Sequence, residues 1–445
     1  MKAKRVAKIF IPKKHKDYNY FLEQMSYSKN IYNYINFLIR QSFFQGVDKK
    51  EGFIIKEDII TEYPTLSEDL MSYFDGDVLI PSTLLTKIAR NFVRANNMDM
   101  NTKVVTSTIR KLFSDWKSFF KLLEQKKLGL YDKDISIPKY KKNKYNLVEY
   151  NIQTIHKRPM LKEGLIKTSK MKGIKIPNFI NPEDVSSFRV YYKNSSVVCE
   201  IIYEKEIGPE IKRKSIKAKK RRVCAADPGL NVLMALTFNF DKRPLNISGK
   251  YIKSVNQYFN KEIAKSQSKL PNRIYTSKNI NNLYNKREAQ IRNYFGFICN
   301  NLVTMLKENE VDIFVIGYNK EQKQNINIGK VNNQNFVQIP YYKLKQILKY
   351  KLEEAGIMYV EQEESYTSKA SFLDNDKVPS FDKESREKHK FSGKRIKRGL
   401  YKSKNGNLIH ADTNGSFNIM RKAGINIPND LSLLEREIIT PLRFA

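Results

Sequence analysis

"VCAADPGLNVLMALTFNF", residues 223–240, is the stretch on which the fold turns. An apolar run ends at Asp227, a Pro-Gly pair follows, and a second apolar run starts at Val232. This reads as a strand, a tight turn and a second strand, with an acid at the end of the first. Downstream the pattern stays α/β. Ile280, Leu283, Arg287, Ile291, Phe295, Ile298, Leu302 and Leu306 share one broad face of a long helix, and "VDIFVIG" (311–317) is a buried strand of the parallel type. "YKLKQILKYKLEEAG" (342–356) is a helix closed by Gly356, and "IMYVEQEE" (357–364) is the next strand, ending in Glu363 and Glu364. "HADTNGSFNIMRKAG" (410–424) places Asp412 at the start of a last helix.

Upstream the character differs. "KRVAKIFIP" (4–12) alternates and stops at Pro12, a short strand, after which Asp17 caps a helix carrying Phe21, Met25, Ile31, Ile35 and Leu38. Further helices open at Ser82 and after Asn101, the latter with Ile109, Leu112, Trp116 and Phe119 as plain core. From about residue 131, "ISIPKYKKNKYN", "IKIPNF", "SFRVYYK" and "SVVCEIIYEKE" suit a small β-barrel that also recruits the N-terminal strand. "IKRKSIKAKKRR" (211–222) has eight basic residues in twelve, a linker fit for phosphate contact.

The chain has 445 residues, enough for two or three domains, and 41% of them are apolar, enough for a real core. Lys and Arg number 81 against 46 Asp and Glu, a net charge of +35, which points to a polyanionic partner, nucleic acid ahead of an anionic membrane. Three cysteines with no short spacing exclude a disulfide framework and a local CxxC metal site, and they fit a reducing cytosol. The start has no apolar core of signal-peptide length and no stretch is long enough for a membrane span, so a cytoplasmic protein is expected.

In so basic a chain the acids at element ends stand out. Asp227, the pair Glu363 and Glu364, and Asp412 can converge at one edge of a sheet, because the carboxyl ends of neighbouring strands lie together. Three carboxylates there suit two hard divalent ions about 3.5–4 Å apart, the arrangement that stabilises both oxygens of a phosphodiester displacement. Mg²⁺ is the default ion, and Mn²⁺ can replace it.

At these residues the chain resembles the TnpB family of transposon-encoded RNA-guided nucleases, kin to type V CRISPR effectors. The matching pieces are "AADPGLN" for the first RuvC motif, "YTSKAS" for the segment before the family's zinc knuckle, and "HADTNGSFNI" for the third motif. "YNKEQKQN" and "NQNFVQIPYYKLKQILKYKLEEAGI" supply the middle. The resemblance implies an RNase H-like α/β RuvC nuclease domain in the C-terminal half. A β-barrel wedge domain with an inserted helical recognition lobe would precede it. The boundaries are then wedge strand 1–16, recognition lobe 17–130, wedge barrel and linker 131–222, nuclease core 223–369, a basic insert 370–409, and core and tail 410–445. It also implies a guide RNA, a double-stranded DNA target and Mg²⁺-dependent DNA cleavage, with Tyr, Phe and Lys of 131–160 and 386–404 as stacking and phosphate contacts.

The chain departs from the family twice. The family's glutamate follows the strand represented here by "IFVIG", but that place holds Gly317, Tyr318 and Asn319, and the next acid is Glu321, one turn on. Glu363 or Glu364 then replaces the missing ligand from the neighbouring strand. Alternation lets one of them face the site, and the parity of apolar Val360 favours Glu364. The second departure is at the knuckle. Ser371 and Asp374 stand where cysteines are usual, "LYKSKNG" also lacks them, and His389 and His410 alone cannot make a four-ligand site, so no structural zinc is expected. Two other readings remain: a nuclease-dead RNA-guided DNA-binding repressor, and a metal-dependent transposase acting without RNA.

Overall fold

The computed structural model describes residues 2–45, 82–207, 221–318, 339–380, 389–397, 399–428, 438–439 and 441–444. Glu321, most of the basic stretch 211–222, and part of 386–404 lie outside the described residues. The chain divides into two compact units, Ala3–Lys205 and Glu206–Ala445, the latter with Met1–Lys2. The division falls where a long strand ends rather than at the start of "VCAADPG".

The first unit contains β1 (Lys2–Ile11), α1 (Tyr18–Gln45), α2 (Ser82–Ala95), α3 (Thr102–Lys127), β2 (Val148–Asn151), α4 (Lys157–Glu163), β3 (Leu165–Ile166), β4 (Ile174–Lys175), β5 (Val185–Lys193) and β6 (Ser196–Glu206). Phe21, Met25, Ile31, Ile35 and Leu38 are buried on α1, and Ile109, Leu112, Trp116 and Phe119 on α3. Each such side chain contributes about 1.5–3 kcal/mol by leaving water. Asn101 caps α3 by accepting the Lys103 N–H at 2.9 Å. Asp17 behaves otherwise than expected. Its buried carboxylate accepts the backbone N–H groups of Lys172 (2.7 Å) and Gly173 (2.9 Å), and so ties the loop after β3 to the loop after β1. The expected barrel is, among the described residues, a four-stranded sheet in the order β1-β6-β5-β2 with a separate β3-β4 pair. Several aromatics of 131–160 are structural: Tyr150 is buried and stacks on Phe188 at 4.4 Å, and Arg40 covers the Tyr140 ring at 4.4 Å.

The second unit runs β7 (Val223–Pro228), β8 (Val232–Phe238), β9 (Leu245–Ser248), α5 (Lys250–Gln267), α6 (Lys278–Glu308), β10 (Ile313–Tyr318), α7 (Tyr341–Glu354), β11 (Met358–Glu363), β12 (Lys394–Lys397), β13 (Leu400–Lys402), β14 (Leu408–His410), α8 (Ala411–Lys422), β15 (Ile438–Ile439) and β16 (Leu442–Phe444). Six strands form a mixed sheet in the order β11-β10-β7-β8-β9-β16. β10 is parallel to both β7 and β11, whereas β7 and β8 form an antiparallel hairpin with Asp227 opposite Ala235. α6 buries Ile291, Phe295, Ile298 and Leu302 in one core with β7, β8 and α7, while Ile419 and Met420 of α8 pack with Val223, Ala225, Ile313 and Val315. β12, β13, β14 and β15 form a second, smaller sheet. Among the described residues no helix is long and apolar enough to cross a membrane.

Candidate functional site

Parallel strands side by side bring their carboxyl ends to one edge. Ile316 pairs with Ala226, so Gly317 and Asp227 stand one step beyond. On the other side Tyr318 pairs with Glu363, and the Glu364 N–H donates to the Tyr318 carbonyl at 3.2 Å. Asp227 and Glu364 therefore flank the end of β10 from either side. α8 lies against this edge. A Cβ at Gly415 would collide with Asp227 Oδ2 and lie 3.3 Å from its Cγ, so only glycine lets the helix come this close. Ser416 fixes the approach: its hydroxyl is within 3.0 Å of the Ala225 carbonyl and 2.9 Å of Thr237 Oγ1. Asp412 is in the first turn of α8, with Arg395 of β12 at 3.4 Å from its Oδ1. His410, not Asp412, caps that helix, its Nδ1 accepting the Asp412 N–H at 3.3 Å.

The Glu pair separates. Glu363 accepts from the Ser365 N–H at 2.6 Å and from Lys422 Nζ at 2.5 Å. Burial raises its pKa, but the Lys422 and Ser365 hydrogen bonds outweigh that and hold it below the usual carboxylate range. Lys422 is itself buried and also donates to the Ser365 (3.0 Å) and Pro379 (2.8 Å) carbonyls. Glu364 turns to the other side. A Cβ at Gly317 would lie 2.5 Å from Glu364 Oε2 and 2.8 Å from Ile419 Cδ1, so the Glu364 carboxylate fills the space that a side chain at 317 would need. That Oε2 is buried and, among the described residues, has no hydrogen-bond partner.

An orphaned buried carboxylate oxygen beside other acids is electrostatically unfinished. Burial pushes Glu364 up to about 7, with Glu363 adding to the rise and Lys345 and Lys422 opposing it. Burial likewise drives Asp227 well above the usual range, and Glu364 and then Asp412 raise it further, with Arg395 the opposing charge. The buried Lys345 of α7 lies 4.0 Å from Glu361 Oε1 and 4.6 Å from the centre of the Tyr318 ring. Tyr341, at the start of the same helix, donates to the Gly229 carbonyl at 2.7 Å, and burial and the two acids push its phenol upward.

These carboxylates supply the hard oxygen donors that a divalent ion takes. Among the described residues no three His, Cys, Asp or Glu side chains are gathered closely enough to hold an ion as they stand. The fit rests instead on the unpartnered Glu364 oxygen and on three acids whose mutual repulsion a cation would relieve.

"YTSKAS" is stitched to α8 by two asparagines of "DTNGSFN". Asn414 Nδ2 donates to the Ala370 carbonyl (2.8 Å) while its Oδ1 accepts the Phe372 N–H (2.9 Å), and Asn418 Nδ2 donates to the Thr367 (3.0 Å) and Ala370 (2.7 Å) carbonyls. Beyond it Asp374 Oδ2 accepts from the Ser371 hydroxyl at 2.6 Å and the Lys404 N–H at 2.8 Å, and Asp376 accepts from Ser371 N–H (2.8 Å) and Ser392 N–H (3.0 Å). Two carboxylates thus join the segments around Ser371, Ser392 and Lys404. The aromatics of this region meet one another, Tyr366 against His389 at 4.9 Å and Phe391 at 6.2 Å.

Known proteins resemble the chain in sequence and in fold. Residues 203–323 match the family described as "Probable transposase", and residues 341–419 match "Cas12f1-like, TNB domain". "TnpB-like protein ORF457" of Acidianus two-tailed virus is 26% identical over 379 residues, spanning 74% of this chain and 73% of that protein. The solved structure "Cryo-EM structure of the Cas12f1-sgRNA-target DNA complex" aligns with a TM-score of 0.50 at 16% identity, covering 90% of this chain and 82% of that one. The fold is thus the multi-domain, mixed sheet-and-helix fold of Cas12f-like proteins. In sequence the chain is similar to the TnpB-like protein and to the two family models over the stretches that carry its motifs.

Proposed function

We propose that this chain is an RNA-guided DNA endonuclease whose RuvC-type site, on an RNase H-like sheet formed by the second unit, is Asp227, Glu364 and Asp412. The observation that carries the reading is the Glu364 carboxylate lying against Gly317 with an unpartnered oxygen. The acid that the family places after this strand is absent, and a neighbouring strand delivers its equivalent to the same point. The repressor reading draws its motive from the same absence, and the Glu364 carboxylate at this point supports the nuclease reading over it. Glu363 is engaged by Lys422 and serves position, not coordination.

When bound, Mg²⁺ would supply activation of water and neutralisation of charge on the phosphodiester. Asp227, Glu364 and Asp412 would hold it, with Asp227 and Glu364 fixed on strand ends and Asp412 on the first turn of α8. Arg395, 3.4 Å from Asp412, brings positive charge to the edge where a phosphate backbone would lie. Lys345 and Tyr318 close the opposite side. The target would be specified by pairing with a guide RNA held on a chain of net charge +35. The titled complex of the structurally similar Cas12f1 contains an sgRNA and target DNA, which supports the same partners here. The loop from 371 to 404 would close by Asp374 and Asp376 without zinc, so purified protein should carry far less than one zinc per chain.

The test begins with expression of the chain together with its flanking DNA. The reading requires a discrete RNA to co-purify and the complex to cut matched DNA with Mg²⁺ or Mn²⁺. Asp227→Ala, Glu364→Ala and Asp412→Ala should each abolish cutting and leave guided binding nearly intact. Purification without any discrete RNA removes the guided mechanism. Guided binding by the wild type without cutting in either ion establishes the repressor reading.

A further inference from the structure

A second concave site lies in the first unit, built where the loop after β1 meets the loop between β3 and β4. Pro12, Lys14, His15, Lys16, Lys172 and Gly173 line a cavity of about 430 Å³. Its charged lining is all basic, and among the described residues no carboxylate pairs with Lys14, Lys16 or Lys172. Lys170 nearby differs, because it is paired with Asp99.

The acid closest to the cavity is Asp17, and it is buried and turned to structural work. Its two oxygens accept the N–H groups of Lys172 and Gly173, and its Oδ2 lies 4.0 Å from His15 Nδ1. Two basic loops that would otherwise repel are thereby held together at fixed spacing. The first loop is further locked by its own backbone: the His15 N–H donates to the Pro12 carbonyl at 2.9 Å and the Tyr18 N–H to the His15 carbonyl at 3.0 Å. His15 has a defined tautomer when neutral. Its Nδ1 accepts the Asp17 N–H at 3.1 Å, which leaves Nε2–H as the donor of the ring. Three ammonium groups and an imidazole donor around one rigid cup are the chemistry of phosphate recognition.

We infer that this cup binds neighbouring phosphates of a nucleic-acid backbone, one to each of its three lysines, through residues of the first unit alone. Its occupancy does not depend on cleavage, so it stands or falls apart from the nuclease reading. Lys14, Lys16 and Lys172 are exposed, so their substitution leaves the core untouched.

The experiment uses the full chain in EDTA with two fluorescent probes, a 12-nucleotide single-stranded RNA and a 12-base-pair DNA duplex, titrated from 50 to 200 mM salt. A triple Lys14→Gln, Lys16→Gln, Lys172→Gln variant is compared with an equal-charge control on α3, Lys103→Gln, Lys117→Gln, Lys121→Gln. Three lost phosphate contacts lower the salt slope by about 2 for single-stranded RNA and about 3 for the duplex, against less than 1 for the control. For RNA that slope change is a roughly 18-fold smaller loss of affinity across the fourfold salt range. A change confined to one probe identifies the backbone the cup takes, and a change in both identifies phosphate without regard to sugar. Equal effects of the two triples, or no effect of the first on either probe, overturn the proposal. Circular dichroism melts of both triples within a degree or two of wild type guard against loss of fold.

Discussion

Gly317 and Glu364 share one space at the ends of two strands. Glycine at the end of β10 leaves a space, and the carboxylate from beyond β11 occupies it, with Glu364 Oε2 only 2.5 Å from where a Cβ would stand. Gly317→Ala should therefore displace Glu364 and lower Mg²⁺-dependent cleavage by about tenfold or more, the size expected when a catalytic group moves by about 1 Å. Unchanged kcat in that variant would mean that Glu364 is not held in place by this gap. Protonation offers a second test at the same residue. In the chelated protein Glu364 keeps its proton up to about 7, whereas unfolded it releases it near the ordinary 4.5. The folded state thus binds more protons between those values, and the stabilising contribution, whole below pH 4.5, is lost as pH rises through 7. The loss is on the order of 3 kcal/mol. Glu364→Gln removes this dependence. Urea melts in EDTA should show the variant gaining on wild type from pH 5 to pH 8, and parallel curves would contradict the buried charge.

The site exists because α8 is fastened to the sheet edge from several directions. Gly415 and Ser416 bring the helix onto β7, Asn414 and Asn418 hold the segment after β11, and Lys422 grips Glu363, Ser365 and Pro379. Lys422→Met would leave those acceptors unmatched and cost about 1–3 kcal/mol. It should also weaken Mn²⁺ affinity, because the Lys422 grip fixes Glu363 and with it the strand end from which Glu364 projects to the opposite side. Lys422→Arg should recover much of the metal affinity. A variant that melts lower but binds Mn²⁺ as wild type would reduce Lys422 to a structural role. Much of this level is legible in the sequence: strand β7 with Asp227 near its end, the parallel strand β10, and a last helix with Asp412 in its first turn follow from periodicity and turn signals, although His410 rather than Asp412 caps that helix. The choice between Glu363 and Glu364 rests on alternation alone in the sequence, and the Lys422 hydrogen bond to Glu363 favours the same choice. The asparagines of "DTNGSFN" gave no local signal, since their partners lie more than 40 residues away. β9 and α5 were missed although Ile252, Val255, Phe259 and Ile263 keep helical spacing. Asp17 looked like a helix cap because nothing nearby in sequence announces Lys172 and Gly173.

The whole chain carries a net charge of +35, yet a small group of acids lies at one sheet edge of the second unit. The long-range field favours polyanions and disfavours free divalent ions, but salt screens it within about 8 Å at physiological ionic strength. Inside that range the local carboxylates decide what binds. The two functions therefore separate: nucleic-acid affinity should fall steeply with salt, whereas ion binding follows the three acids. That separation allows the central claim, that Glu364 has taken over the ligand role, to be measured without guide or target. The measurement is Mn²⁺ binding to the RNA-free chain, followed by electron paramagnetic resonance at pH 7.5. Wild type should bind, and Asp227→Asn and Glu364→Gln should each lose affinity by tenfold or more, the lower bound of an effect of about 1.4 kcal/mol. Glu363→Gln, which keeps an oxygen for Lys422, should stay within about threefold of wild type, a difference under about 0.7 kcal/mol. Retained binding in Glu364→Gln together with loss in Glu363→Gln would contradict the account.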